Sequence, residues 1–266
     1  MSGYIKEKVR GWLALPELEG VNDLDDPNTS ELHSRIIQNK PFLKKIYLEN
    51  YQEVVRFHDS DPDAVIVELG SGGGFIKQVI PEAITSDVLV LSSVDVCFSG
   101  EHIPFKNDSV GIFFMIDVFH HIKTPRSVLT EMERCLKPGG KIIMIEPANT
   151  WWGRFIFQNF HHEPFNPAAG WSIEGEGPMS DANGAQPWIV FKRDQEQFLK
   201  EYPKLRINRF RCHTPIRYLI SGGVSMRQLA PTFMYPVIRG LEMLISPLNP
   251  LLGMFCTIEL EKSPRS

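Results

Sequence analysis

Val67-Glu68-Leu69-Gly70-Ser71-Gly72-Gly73-Gly74-Phe75 is the stretch that decides the fold. Leading into it, Ala64-Val65-Ile66-Val67 is a short apolar run, read as a strand buried in a parallel sheet. Glycines follow at G-x-G-x-G spacing: Gly70, Gly72 and Gly74. They let the chain turn tightly and let a ligand lie against main-chain N–H groups. A strand that runs into such a loop and then into a helix is a cofactor-binding turn. The dinucleotide fingerprint G-x-G-x-x-G/A needs Gly or Ala at position 75, where this chain has Phe75, so a nicotinamide oxidoreductase is disfavoured.

Two acids frame the loop. Glu68 stands two residues before the first glycine, where a carboxylate can hold a ligand ammonium. A second acid is expected at the end of the next strand, about 20 residues on, to accept bonds from ribose hydroxyls. Asp87 follows Glu68 by 19 residues, after Ala83-Ile84-Thr85-Ser86. The blander reading is a solvated Asp beside a glycine-rich turn.

Working outward, strands are expected near Ala83–Val88, Val94–Phe98, Gly111–Ile116 and Lys141–Ile145, with helices between them. Pro125 opens a helix that Lys137-Pro138-Gly139-Gly140 ends. Upstream, Leu32, Ile36, Ile37, Phe42, Ile46, Tyr47 and Val54 recur at helical spacing from Ser30 to His58, and Pro41 divides them into two helices. The acidic stretch Glu17–Glu31 reads as a loop or arm, and Asp61-Pro62-Asp63 as a break before the sheet. Asn149–Trp188 has no clear period and reads as a lid or substrate loop. A helix near Arg193–Glu201 and a strand near Leu205–Cys212 follow. A helical insertion over Pro215–Pro250 and a last strand over Met254–Leu260 complete the chain. The order predicts an α/β doubly wound, mostly parallel Rossmann-like sheet with helices on both faces. One globular unit results: an N-terminal helical arm (1–60), a core (61–148), an irregular loop (149–192) and a C-terminal part with the helical insertion before the last strand (193–266).

Composition narrows the class. With 28 basic and 32 acidic residues the net charge is −4, so no global nucleic-acid footprint exists. Cys97, Cys135, Cys212 and Cys256 form no CxxC pair, which argues against a zinc ribbon or disulfide framework and for a reducing cytoplasm. Met1–Arg10 lacks an apolar signal core, and no uncharged apolar run is long enough to span a bilayer.

Four ordered motifs resemble one family. Val67–Phe75 resembles motif I of class I S-adenosylmethionine (SAM) dependent methyltransferases. Ile103-Pro104-Phe105-Lys106-Asn107-Asp108-Ser109 resembles the LPF-x-D-x-S segment of the type 11 subgroup. Asp117-Val118-Phe119-His120-His121-Ile122 resembles its D-V-L-H-H-I strand end, and Cys135–Lys141 its V-L-K-P-G-G turn. His161-His162-Glu163-Pro164-Phe165, Asn183-Gly184-Ala185, Pro187–Phe191 and Leu219–Ser225 together resemble bacterial members linked with surface-polysaccharide and glycolipid pathways.

The resemblance implies SAM as cofactor, bound by Glu68, Gly70, Ser71, Gly72, Gly74, Asp87, Ser99, Gly100, Glu101 and Asp117. At the adenine-binding position the family usually has Asp, and this chain has Ser99. Its hydroxyl still accepts a bond without charge, and Glu101 is the nearby acid available to substitute. Ser99 also supports an alternative: a methyltransferase fold that binds a partner without catalysis.

Methyl transfer to a hydroxyl needs alignment and a base or anchor for the acceptor. His120 and His121 follow a strand end, and His161 and His162 lie in the lid loop, so these four are the catalytic candidates. The plainer reading is that they cap or order their loops. No metal ligand set is expected. The acceptor implied is a small molecule, a glycan or a lipid-linked glycan, methylated at oxygen. Finally, Lys204, Arg206, Arg209, Arg211, Arg217, Arg227 and Arg239 fall in Tyr202–Leu241 with no acid among them, interleaved with aromatic and apolar residues. That pattern suggests peripheral membrane contact through 202–241, with an ordinary helical cap as the simpler reading; no nucleic acid is expected.

Overall fold

The computed structural model describes residues 11–264 except 12, 22, 59, 60, 62, 176 and 178. The reading of Met1–Arg10 and the middle of the Asp61-Pro62-Asp63 break lie outside the described residues.

Seven strands form one sheet: β1 (Ile66–Leu69), β2 (Ile84–Asp87), β3 (Val96–Cys97), β4 (Val110–Ile116), β5 (Leu136–Pro147), β6 (Leu205–His213) and β7 (Phe255–Lys262). Their spatial order is β3-β2-β1-β4-β5-β7-β6. The pairs β2–β3, β1–β2, β1–β4 and β4–β5 are parallel; β7 runs antiparallel to both β5 and β6. The sheet is mostly parallel, as the alternating elements predict. Its central strand β4 reads Val-Gly-Ile-Phe-Phe-Met-Ile because both faces are covered, and Phe113, Phe114 and Met115 are fully buried.

The chain winds outward from β1 through β2 to β3, then returns to β4 on the other side of β1. A crevice therefore opens between the carboxyl ends of β1 and β4, where open α/β sheets bind ligands. The glycine loop leaves β1 at that edge, and Asp117 leaves β4 there.

Around the sheet pack α1 (Pro27–Asn39), α2 (Pro41–His58), α3 (Pro125–Cys135), α4 (Trp151–Phe160), α5 (Gln195–Glu201), α6 (Arg217–Ser221) and α7 (Tyr235–Leu244). Asp26 caps α1 by accepting from the Asn28 N–H, and Pro41 opens α2. Tyr51 of α2 packs edge-on against Phe75 and lies beside Phe114.

Three expectations need correction. No α-helix follows the glycine loop; a single 3₁₀ turn, Ile76–Gln78, stands there. Phe75, Ile76 and Ile80 are buried, and Pro81 follows with β2 starting at Ile84, which leaves no length for a helix. The turn Lys137–Gly140 belongs to β5, with a register shift where it pairs β4. Thirdly, Asn149–Trp188 is not irregular throughout. Thr150 accepts from the Gly153 N–H and starts α4, whose Ile156 and Phe157 reach the core.

Candidate active site

Glycine is needed at two points of the loop. Gly70 has φ +64°, and a Cβ there would lie 2.5 Å from Val118 Cγ2. Gly72 has φ +37° and donates its N–H to Asp87 Oδ2 at 2.9 Å. Asp87 Oδ1 accepts from the Leu89 N–H at 2.9 Å. One carboxylate thus joins the loop of β1 to the end of β2.

Glu68 is buried beneath the loop. Its Oε2 finds no hydrogen-bond partner. Burial pushes its pKa up to about 8, with Asp87 adding to the rise and Ser71 and Tyr51 opposing it. Asp87 is also raised by burial, against its backbone N–H bonds. Asp117 ends β4 in a left-handed conformation, φ +55°, uncommon for a residue with a side chain. Burial raises it to about 8; His120 opposes the rise, and Glu146 and Glu163 add to it.

The turn Phe119–His121 follows. Glu146, fully buried near the end of β5, accepts from the Val118 and Phe119 N–H groups at 3.0 and 2.7 Å through Oε1. Its Oε2 lies 2.7 Å from His120 Nδ1. His121 Nδ1 faces the Asp181 carbonyl at 3.2 Å. Four histidines then surround one carboxylate. Glu163 lies 3.3 Å from His120 Nε2, and 3.6 Å from His121 Nε2, His161 Nδ1 and His162 Nε2. Burial works against charge on His120, but Glu146 and Glu163 overcome it and hold its pKa well above the usual range. Burial and the neighbouring His120 push His121 down to about 4. Glu163 is itself held far below the carboxylate range: burial opposes this, and His120 outweighs it.

One cavity of about 750 Å³ collects all of this. Every site residue expected from sequence lines it: Glu68, Gly70, Ser71, Gly72, Gly74, Asp87, Ser99, Gly100, Glu101, Asp117, His120, His121, His161 and His162. Ser99 Oγ accepts the Glu101 N–H at 3.3 Å, and the Glu101 carboxylate accepts from Thr124 Oγ1. Sequence reasoning missed Glu146, Tyr47 and Tyr51. The far wall is apolar, with Ile156, Phe157 and Phe160 of α4, Tyr218 and Leu219 of α6, and Phe255 of β7.

Residues 79–144 match the family model described as a methyltransferase domain, so the match begins just after the glycine loop. No curated protein matches the chain. Among solved structures, a SAM-dependent methyltransferase of Thermotoga maritima, titled a possible histamine N-methyltransferase, is 14% identical; the alignment covers 88% of this chain and 99% of that one, with a TM-score of 0.50. A SAM-dependent methyltransferase of Archaeoglobus fulgidus is 15% identical over 82% of this chain and 94% of that one, also at 0.50. These structures share the fold of this chain. Residues 79–144 are thus similar to a methyltransferase domain, and the likeness to the solved structures is one of fold.

Glu68 links stability to pH. Its folded pKa, about 8, lies above its ordinary 4.5, so between these values the native chain holds a proton the unfolded chain has lost. Stability should fall as pH rises across that window and level off above it. Glu68→Gln is expected to lessen the fall, which urea denaturation at a series of pH values reads; an unchanged slope would contradict the assignment.

Proposed function

We infer that this chain transfers a methyl group from SAM to an oxygen of an amphiphilic small molecule, a glycan or lipid-linked sugar by preference. The observation that carries the reading is the cavity itself: an acidic glycine-loop end and a histidine–carboxylate cluster share one space, next to an apolar wall. Bound there, SAM supplies a methyl carbon made electrophilic by its sulfonium, which the acceptor oxygen takes with release of S-adenosylhomocysteine and a proton.

The residues fit this cofactor. The lone buried oxygen of Glu68 suits an ammonium, which would replace the proton that burial otherwise imposes. Each Asp87 oxygen uses one main-chain N–H and keeps a lone pair for a ribose hydroxyl. Ser99, Gly100, Glu101 and Phe98 line the part of the cavity left for the adenine. Ser99 is occupied as a turn former, so shape rather than a charged bond would hold the ring there. Intact Glu68 and Asp87 favour an active enzyme over a catalytically silent binding fold.

Asp87→Asn keeps the turn acceptor at one oxygen but removes the charge-assisted bonds to the ribose. It should weaken SAM binding by about 1.5–3 kcal/mol per bond lost. Gly72→Val should abolish binding through its positive φ and a side chain at the loop's open face. Calorimetry with SAM checks both; wild-type affinity in either variant would remove that residue from the cofactor site.

At the acceptor end, the histidine cluster would receive the acceptor hydroxyl and fix it against the cofactor. Single Ala variants at His120, His121, His161 and His162 test this. His120 and His121 are buried or nearly so and should lose roughly 100-fold or more in turnover, since a misplacement of about 1 Å costs that much. His162, whose side chain is 48% exposed at the rim, should lose least. SAM affinity should persist. Near-normal turnover in all four would exclude the cluster from catalysis.

The membrane contact needs revision. Arg206 pairs with Glu261, Arg209 with Glu53 and Glu259, Arg211 with Glu53, Arg217 with Glu242 and Glu49, and Arg239 with Glu49; Lys204 stands 4.0 Å from Glu133. The acids come from outside the stretch and offset six of its seven basic residues; Arg227 instead donates to the Ala14 carbonyl. What remains is apolar. Val237, Leu241 and Leu244 fall on one exposed side of α7, with exposed Phe233 in the turn just before it and Met243, Leu248 and Leu251 flanking. Tyr235 and Ile238 of the same helix are buried. The helix packs on α6, whose Tyr218 and Leu219 line the cavity. A lipid surface resting there would bring an acceptor's head group toward the cavity. No helix among the described residues is long and apolar enough to cross a membrane. Flotation should show binding to neutral and anionic vesicles alike with little salt dependence, lost in Leu241→Asp. Absence of binding to both would overturn it.

A further inference from the structure

Only His120 Nε2, at 3.3 Å, comes near hydrogen-bond distance of the Glu163 carboxylate; His121, His161 and His162 stand 3.6 Å from it. A charge-assisted N–H···O bond spans about 2.7–2.9 Å. The nearest histidine nitrogens stand 3.3 and 3.6 Å from the carboxylate oxygens. Two ligand atoms on one tetrahedral zinc-class ion, with bonds of about 2.0–2.1 Å, lie about 3.4 Å apart.

The far side of each ring is already committed. His120 Nδ1 faces Glu146, whose carboxylate accepts two main-chain N–H groups as well, so the nitrogen is the donor. His121 Nδ1 faces the Asp181 carbonyl, which can only accept. Both rings therefore turn Nε2 toward Glu163. Metal-binding histidines are held in this way, one nitrogen donating to a carboxylate or carbonyl and the other presented to the ion.

We propose that His120 Nε2, His121 Nε2 and the Glu163 carboxylate bind a divalent first-row transition ion, zinc by preference, at the acceptor end of the cavity. Their ligand atoms lie within 4.8 Å of one another. Two imidazoles favour a zinc-class ion over magnesium or calcium, which take oxygen ligands. Three protein ligands with a fourth position open is the composition of catalytic zinc sites. The open position faces the cavity and takes the acceptor's oxygen. This deepens the functional reading above and rests on it for that last role. Asp117, His120 and Glu146 also gather within 4.8 Å, but Glu146 is filled by its N–H donors and by His120 Nδ1. The proposal departs from the expectation from sequence of no metal ligand set. No spacing announced the site, because Glu163 lies 42 residues beyond His121.

The test uses the full chain, stripped with chelator and then titrated with zinc by calorimetry and with cobalt(II) by visible absorption. SAM affinity is measured in parallel. One ion per chain is expected, with a four- or five-coordinate cobalt spectrum that changes when an acceptor alcohol is added. Glu163→Gln and His121→Gln should each weaken zinc binding at least 10-fold, and Glu146→Gln should weaken it about 10–100-fold through His120. Circular dichroism and retained SAM binding show that these variants fold. A folded, SAM-binding wild type that takes up neither zinc nor cobalt overturns the proposal and leaves the methyltransferase reading intact. Zinc affinity unchanged in both Glu163→Gln and His121→Gln overturns it as well. Stoichiometric zinc in a chain that fails to bind SAM supports the ion site and instead removes the methyltransferase reading.

Discussion

The buried carboxylate of Glu146 is the interaction on which the acceptor side of the molecule depends. It sits at the end of β5 and takes the N–H groups of Val118 and Phe119, just as the chain leaves β4. An unpaired pair of N–H groups at that depth would be costly, so the turn and the carboxylate specify each other. The same carboxylate aims His120. The loop after α4 then hangs on this turn: the Asn183 N–H donates to the His120 carbonyl, and Gln186 Nε2 donates to the Ile122 and Trp171 carbonyls. Asn183 and Gln186 thus fix the position of this loop. Removal of one acid would loosen a strand end, a histidine pair and a loop together.

The strands were legible because parallel interior strands are apolar on both faces, and Val110–Ile116 and the Ile142–Ile145 part of β5 are sequences of that kind; the Leu136–Gly140 part of β5 is not, and reads as a turn. Asp87 was legible because its spacing from the glycine loop is a geometric requirement of the fold. Glu146 was not. A single acid ending the run Ile142-Ile143-Met144-Ile145 reads as a strand emerging into water, and only the chain crossing from β4 shows that it is buried. The helix expected after Gly74 failed for a local reason, the burial of Phe75 and Ile76 and the stop at Pro81. The basic stretch of Tyr202–Leu241 misled for the opposite reason. Local composition cannot register Glu53 and Glu49 of α2, more than 150 residues from the Arg209 and Arg211 that Glu53 meets and the Arg217 and Arg239 that Glu49 meets.

Charge balance ties the two ends of the cavity together. Glu68, Asp87, Asp117 and Glu163 all face one space. Burial limits the solvation of these carboxylates, and the protein settles the excess differently at each end. Under the glycine loop, burial holds a proton on Glu68. At the other end, histidines surround Glu163 and keep it ionised. A cavity of this kind disfavours anionic ligands and gains from cationic ones, because a bound cation replaces protons that are held only for want of solvent. The acidic lining, more than the glycine loop alone, separates this chain from the phosphate-binding folds that share its sheet. Those rely on N–H groups at a helix start, and here the helix start is absent and the N–H of Gly72 is spent on Asp87.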